Sequence, residues 1–171
     1  MYWQNDIRKG AQTTLIGCTL HSVVTRRGYE WKAEVFSIGD CEYFLFRPDA
    51  RYEWLPVHAF PYTTPESFGV HPHTLVTRTR PELVARSLSY SQRVTFSVQP
   101  DDLIVLVSDS LAKWFLTQLR QEGQQWKQLL HASPLHAFEP YIREAQHHGS
   151  LEDDDITMLA ITVPPLEKEP V

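Results

Sequence analysis

Cysteine is scarce in this chain. Cys18 and Cys41 are 2 among 171 residues, too few for the disulfide framework of a small secreted domain. Neither stands in the paired spacing of a zinc site, so both read as free thiols in a reducing compartment. Basic runs are missing too. No run of Lys or Arg exceeds Arg26-Arg27, so no nucleic acid is expected as a partner. No apolar stretch approaches the roughly 20 residues that cross a bilayer, and Met1-Tyr2-Trp3-Gln4-Asn5-Asp6 contains no apolar signal core. The expected setting is cytoplasmic, with no membrane partner. Regular strand–helix alternation and a glycine-rich phosphate loop are also lacking, which argues against a doubly wound nucleotide fold.

What is present suits one folded domain. Hydrophobic residues make up 42%, with 5 Trp, 8 Phe and 7 Tyr, enough for a real core. Charged residues are 22% and the net charge is −5, which fits neither a disordered nor a supercharged chain. The stretch Leu103-Ile104-Val105-Leu106-Val107 is apolar without a break, the pattern of a strand buried on both faces. Asp109 follows, and Leu111, Phe115 and Leu119 then fall at helical spacing. Asp109 therefore sits where a central strand hands over to a helix. Ser108, Asp109 and Ser110 are all good caps, and capping is the ordinary reading of that aspartate. A second acidic cluster, Glu152-Asp153-Asp154-Asp155, abuts another apolar strand, 156–163. Carboxylates at the ends of two core strands can meet at one sheet edge and share a hard cation.

The remaining elements follow from local pattern. Thr13 to Thr25 reads as a strand, with Gly17 marking a bulge or close approach. Trp31, Ala33, Val35 and Ser37 form one face of the returning strand, and Gly39-Asp40 is a turn. Tyr43 to Phe46 then completes a three-stranded meander. Tyr52 to Phe60 is a further strand. An irregular stretch from Pro61 to Arg80 has the length of a functional loop or flap; His71 and His73 within it read as surface residues. Arg93 to Val98 and the Leu103 strand are expected to form a hairpin. Helices are expected over 110–121, 124–131 and from Ser133-Pro134 to His148, with Pro140 a candidate break. His147-His148 suits a helix C-terminus. Residues 1 to about 12 read either as the last turns of a helix ended by Gly10 or as a short arm. The fold class is α+β, with antiparallel sheet and helices on a face.

Four short segments occur in a recognisable order: Gly17-Cys18-Thr19-Leu20, Ile38-Gly39-Asp40-Cys41, Ser108-Asp109-Ser110-Leu111 and Asp154-Asp155-Ile156-Thr157. The series resembles that of the metal-dependent protein serine/threonine phosphatases, the PPM or type 2C family. The resemblance covers residues 11 to 163. It implies a sandwich of two antiparallel sheets flanked by helices, with Mg²⁺ or Mn²⁺ at one end. It makes Asp109 and Asp154 ligands of a binuclear site and Asp40 part of a weaker third site. The implied activity is hydrolysis of phosphomonoesters on phosphorylated Ser/Thr proteins by metal-activated water, with no side-chain nucleophile.

The chain departs from the family pattern at several points. Ser110 stands for the usual glycine, Lys113 for an acidic residue, and Asp155 for asparagine. The family's Asp-Gly-x-Gly-Gly segment, which supplies the bridging aspartate, finds no match before Gly17. The expectation is therefore a partial domain over 1–163 with a polar tail over 164–171. Such a domain binds metal weakly and is weakly active or inactive unless an oligomer or a complementing chain supplies the rest. The alternative is a non-catalytic pseudophosphatase acting as a binding or regulatory module.

Overall fold

The computed structural model describes residues 12–26, 28–69, 72–76, 81–131 and 135–166. In chain order these form β1 (Gln12–Thr13), β2 (Leu15–Thr25), β3 (Gly28–Ile38), β4 (Glu42–Pro48) and β5 (Trp54–Phe60), then a 3-10 turn over Pro65–Ser67. There follow β6 (Leu75–Val76), α1 (Pro81–Ser89), β7 (Gln92–Val98), β8 (Leu103–Val107), α2 (Asp109–Arg120), α3 (Gln125–His131), α4 (Leu135–His147) and β9 (Met158–Thr162). Every strand pair is antiparallel. One sheet has the order β2-β3-β7, a second the order β5-β4-β8-β9, and β1 pairs with β6 alone.

Alternation along the two central strands builds three layers. In β8, Ile104 and Leu106 face the three-stranded sheet, where they meet Ala33, Val35 and Val98. Leu103, Val105 and Val107 face the other way, onto Leu111, Phe115, Trp126 and Leu129 of the helices. β4 does the same: Tyr43 and Leu45 go to the sheet side, Phe44 and Phe46 to the helix side. All five residues of β8 are buried, as the unbroken apolar run requires. Phe46 stacks on Trp126 at 5.1 Å and Phe44 meets Phe115 at 5.2 Å. Each such side chain removed from water contributes about 2–3 kcal/mol.

The α+β class holds, with antiparallel sheets stacked face to face and helices covering one of them, but several local expectations do not. β4 leaves the three-stranded sheet and pairs with β5 and β8 instead. The expected meander stops at the β2–β3 hairpin. A strand apolar on both faces belongs inside a covered sheet, and only the second sheet offers that place. The expected hairpin between β7 and β8 fails for the same reason. β7 buries one face and pairs with β3, while β8 lies between β4 and β9. Buried Asp102 fixes the crossing by accepting the Gln99 N–H at 2.8 Å.

Smaller corrections follow. Gly17 lies in regular register opposite Phe36, and nothing approaches the place of its missing Cβ. Pro140 sits inside an unbroken α4. The last strand starts at Met158, and the strand expected from Tyr52 starts at Trp54. The loop expected over 61–80 contains β6, and α1 after it was not anticipated. Pro81 at its first turn is a start signal, but Leu83 and Val84 are only half-buried, too little apolar periodicity to announce a helix. His73 lies against Tyr90, ring to ring at 3.8 Å. The expectations for residues 1–11, His71, Ser133-Pro134 and most of the tail lie outside the described residues. Among the described residues no helix is long and apolar enough to cross a membrane.

Candidate metal centre

Asp40 stands in the turn that carries the chain from β3 to β4. The turn depends on Gly39, whose φ is +97°; a Cβ there would fall 2.4 Å from Thr14 Cγ2 and 2.8 Å from the His73 carbonyl. Only glycine suits both the angle and the space. Asp40 itself is buried, with Thr14 hydrogen-bonding beside it. Its carboxyl lies above the usual carboxylate range, because of burial first and the Asp109 charge second.

Asp109 opens α2 where β8 ends. The preceding residue Ser108 takes the N-cap position but does not cap with its side chain. Its hydroxyl reaches the 155–157 loop instead, donating to the Asp155 carbonyl at 3.3 Å and accepting the Thr157 N–H at 3.1 Å. The Ser108 N–H donates to the Thr157 carbonyl at 3.1 Å. The acidic loop is thereby tied to the start of the helix. Ser110 completes the tie, its Oγ donating to Asp154 Oδ2 at 3.0 Å. The other oxygen of Asp154 accepts the Asp155 N–H at 2.8 Å. Gln146 Nε2 holds the loop from α4 through the carbonyls of Glu152 and Asp154, at 3.1 and 3.0 Å.

Asp40 and Asp109 line one cavity of about 210 Å³ together with Phe68, Gly69, Ser110, Lys113 and Glu152. Lys113 forms an ion pair with Glu152 on its wall. Asp154 does not line the cavity; it sits one hydrogen bond away, behind Ser110. The three sequence-picked aspartates thus gather at one end of the second sheet, two in the cavity and one beside it. Among the described residues, no three His, Cys, Asp or Glu side chains are disposed to hold one metal ion.

Sequence reasoning pointed to part of this wall. It marked 61–80 as a functional loop, and Phe68 and Gly69 come from it. Ser110 and Lys113 stood out only as departures from a pattern; here Ser110 holds Asp154 and Lys113 pairs with Glu152. Glu42 was missed. It is fully buried at the base of the same end, where it accepts the Tyr62 N–H at 3.1 and 3.2 Å. Burial pushes its carboxyl up to about 9. Tyr62 in turn donates to the Gly39 carbonyl at 3.3 Å and packs on Phe68 at 4.8 Å. Glu42 therefore underpins both Gly39 and the Phe68 wall. A lone glutamate before four apolar residues carried no such signal.

The donor set is carboxylate and hydroxyl oxygen, which suits a hard divalent cation. Asp40 and Asp109 bring two carboxylates to one cavity wall beside the Ser110 hydroxyl. Asp154, the other ligand expected of a binuclear centre, has both oxygens hydrogen-bonded within the protein.

No family model matches the chain, and no curated protein matches it. Among solved structures it is similar to the phosphatase domain of the cell fate determinant SpoIIE from Bacillus subtilis, at 16% identity and a TM-score of 0.44. That alignment covers 91% of this chain and 61% of the SpoIIE domain chain. A second structure of the same domain, presoaked with Mn, aligns at 13% identity and a TM-score of 0.42, over 90% of this chain and 59% of that one. The chain spans about three-fifths of the length of the solved domain it is similar to.

Proposed function

We propose that this chain is a protein serine/threonine phosphatase-like domain that takes one Mg²⁺ or Mn²⁺ weakly between Asp40 and Asp109. The observation that carries the reading is their meeting in one cavity, from two elements far apart in sequence, while the Lys113 ammonium on the same wall is paired with Glu152. The order of the four aspartate-bearing and glycine-bearing segments supports it. When bound, the ion would neutralise charge on a phosphoryl group and make water nucleophilic near neutral pH. The chain's own residues orient that chemistry. Asp40 and Asp109 hold the ion, Ser110 keeps Asp154 at the rim, and Phe68 with Gly69 closes one side. The substrates are phosphorylated Ser/Thr side chains of proteins, hydrolysed slowly by this chain alone and faster where a second chain adds ligands.

One observation favours a non-catalytic reading, a pseudophosphatase acting as a binding or regulatory module. Both oxygens of Asp154 are already engaged and Lys113 occupies the cavity wall, which limits the site to a single weak ion. Two measurements separate the readings: Mn²⁺ titration by calorimetry, and p-nitrophenyl phosphate hydrolysis with Mn²⁺. Turnover that disappears in Asp109→Ala establishes the enzyme. One-site Mn²⁺ binding without turnover establishes the module. If Mn²⁺ does not bind, or binds equally well to Asp109→Ala, both readings fail.

A further inference from the structure

Four strands stand at the ends of the two main sheets: β2 and β7 in one, β5 and β9 in the other. A sheet end presents a row of backbone donors and acceptors that invites another strand, and folded proteins blunt such ends with proline, charge, bulges or shortness. Three of the four are blunted. β5 contains Pro56, and its register with β4 shifts between Leu45 and Phe46. β9 has five residues and runs into Pro164-Pro165. β7 has seven, carries Arg93, and is followed by Pro100.

β2 has none of these devices. It runs for eleven residues in unbroken register with β3. It contains no proline and no Lys, Arg, Asp or Glu. Among the described residues its only strand partner is β3. None of its residues is buried, and Val24 is 77% exposed. Ile16, Cys18 and Leu20 pack against the core between the sheets yet stay partly open.

We propose that the outer edge of β2 pairs antiparallel with the same edge of a second copy of this chain, about a two-fold axis at Leu20. The two three-stranded sheets would then continue as one sheet of six. The segment 16–24 is self-complementary in that register. Leu20 faces its own copy, Thr19 faces His21, Cys18 faces Ser22, Gly17 faces Val23, and Ile16 faces Val24. Side-chain faces are preserved in such pairing, so the row of Ile16, Cys18 and Leu20 on the core side, continued by exposed Ser22 and Val24, meets an identical row. The neighbouring strand brings no charge conflict. Lys32 lies beside His21 and Glu34 beside Thr19. Across the axis, Lys32 of one copy lies in line with Glu34 of the other, and no like charges stand opposite. A closed isologous dimer results, which uses up both free edges and does not propagate.

The pairing does not involve the aspartate cavity, so it stands or falls apart from the metal reading. Light scattering behind size exclusion tests it on the intact chain, with two variants. Leu20→Lys places like charges on the axis, and Thr19→Lys places one beside His21 and Lys32 of the other copy. Both are expected to halve the measured mass while circular dichroism stays native; Thr95→Lys on the exposed edge β7 is expected to leave it dimeric. Ser22→Cys reads the register directly. Cys18 of the same strand lies four residues away, about 13 Å, too far to bridge, so a disulfide that peptide mapping places between position 22 of one chain and Cys18 of the other fixes the register. A native chain that is monomeric, a dimer that survives both lysine variants, or a Ser22→Cys dimer that does not cross-link overturns the proposal.

Discussion

β4 and β8 run side by side, Glu42 opposite Val107 and Phe46 opposite Leu103, and each end of the pair carries carboxylates in a different condition. At the Phe46–Leu103 end, buried Asp102 is met by Arg47 through two hydrogen bonds of 2.8 Å. It also accepts the Gln99 N–H, and its carbonyl takes the Val163 N–H at 2.8 Å. At the Glu42–Val107 end, Asp40, Glu42 and Asp109 gather with no arginine among the described residues of the cavity wall, and Lys113 is engaged by Glu152. One end spends its charge holding strands together. The other keeps Glu42 protonated and gives Asp40 and Asp109 no ion pair among the described residues, at a cost in stability, where a cavity opens. Burying a carboxylate is costly in either place; what separates scaffold from site is whether the chain supplies the counter-charge itself.

The sharpest way to break this contrast is to remove the counter-charge at the first end. Arg47→Ala leaves Asp102 buried without its partner, and the expected loss is about 3–5 kcal/mol, read by urea denaturation at neutral pH. The aspartate-cavity end should keep whatever Mn²⁺ isotherm the native chain shows, wherever the variant stays folded. A loss of less than about 1 kcal/mol, the range of surface pairs, would mean that both ends are equally dispensable.

The second end is tested through Glu42, with EDTA present so that no ion masks the effect. Its folded-state value is raised, from 4.5 to about 9. Below pH 4.5 folded and unfolded chains both hold the proton. As pH rises above that, the unfolded chain releases it and the folded chain does not, so stability falls until the folded carboxyl itself ionises near 9. The expected decline between pH 5 and pH 8 is roughly 4 kcal/mol, at about 1.4 kcal/mol per unit. Glu42→Gln should flatten that slope and leave the Arg47–Asp102 end unaffected. A stability that rises over the same interval would show that Glu42 is ionised and compensated, and the contrast would be lost.

The difference between the two ends was only partly legible in the sequence. The strand Leu103–Val107 announced itself because five apolar residues in a row have nowhere to go but a covered sheet, and Asp109 and Asp40 announced themselves by standing at its end and at a Gly-Asp turn. What did not show was the exchange of strands between sheets. Turn signals such as Gly39-Asp40 and Pro100-Asp101-Asp102 look alike whether the chain returns to its own sheet or crosses to another. The decision rests on long-range facts: which strand can be covered on both faces, and whether Asp102 finds Arg47, 55 residues away. Glu42 was invisible for a related reason. A glutamate reads as surface unless its N–H donors, here from a loop twenty residues on, are already known.

The finest test concerns Lys113, the cation on the cavity wall. Its ion pair with Glu152 is exposed, at 45% and 58% of the side chains, so Lys113→Ala should change stability by no more than about 0.5 kcal/mol. Its effect on the cavity should be small but opposite in sign to that of Asp109→Ala. An ammonium several ångströms from a bound divalent ion, in largely aqueous surroundings, opposes binding by about 0.5–1 kcal/mol. Calorimetry should therefore show Mn²⁺ binding strengthened by about twofold to fivefold in Lys113→Ala at low salt, with the gain fading as ionic strength rises. If the affinity weakens instead, Lys113 serves the cavity by restraining Glu152, and its charge does not oppose the ion. If it strengthens, the Lys113 ammonium, four residues after Asp109 on the same helix, is a charge of the cavity wall that competes with the added ion.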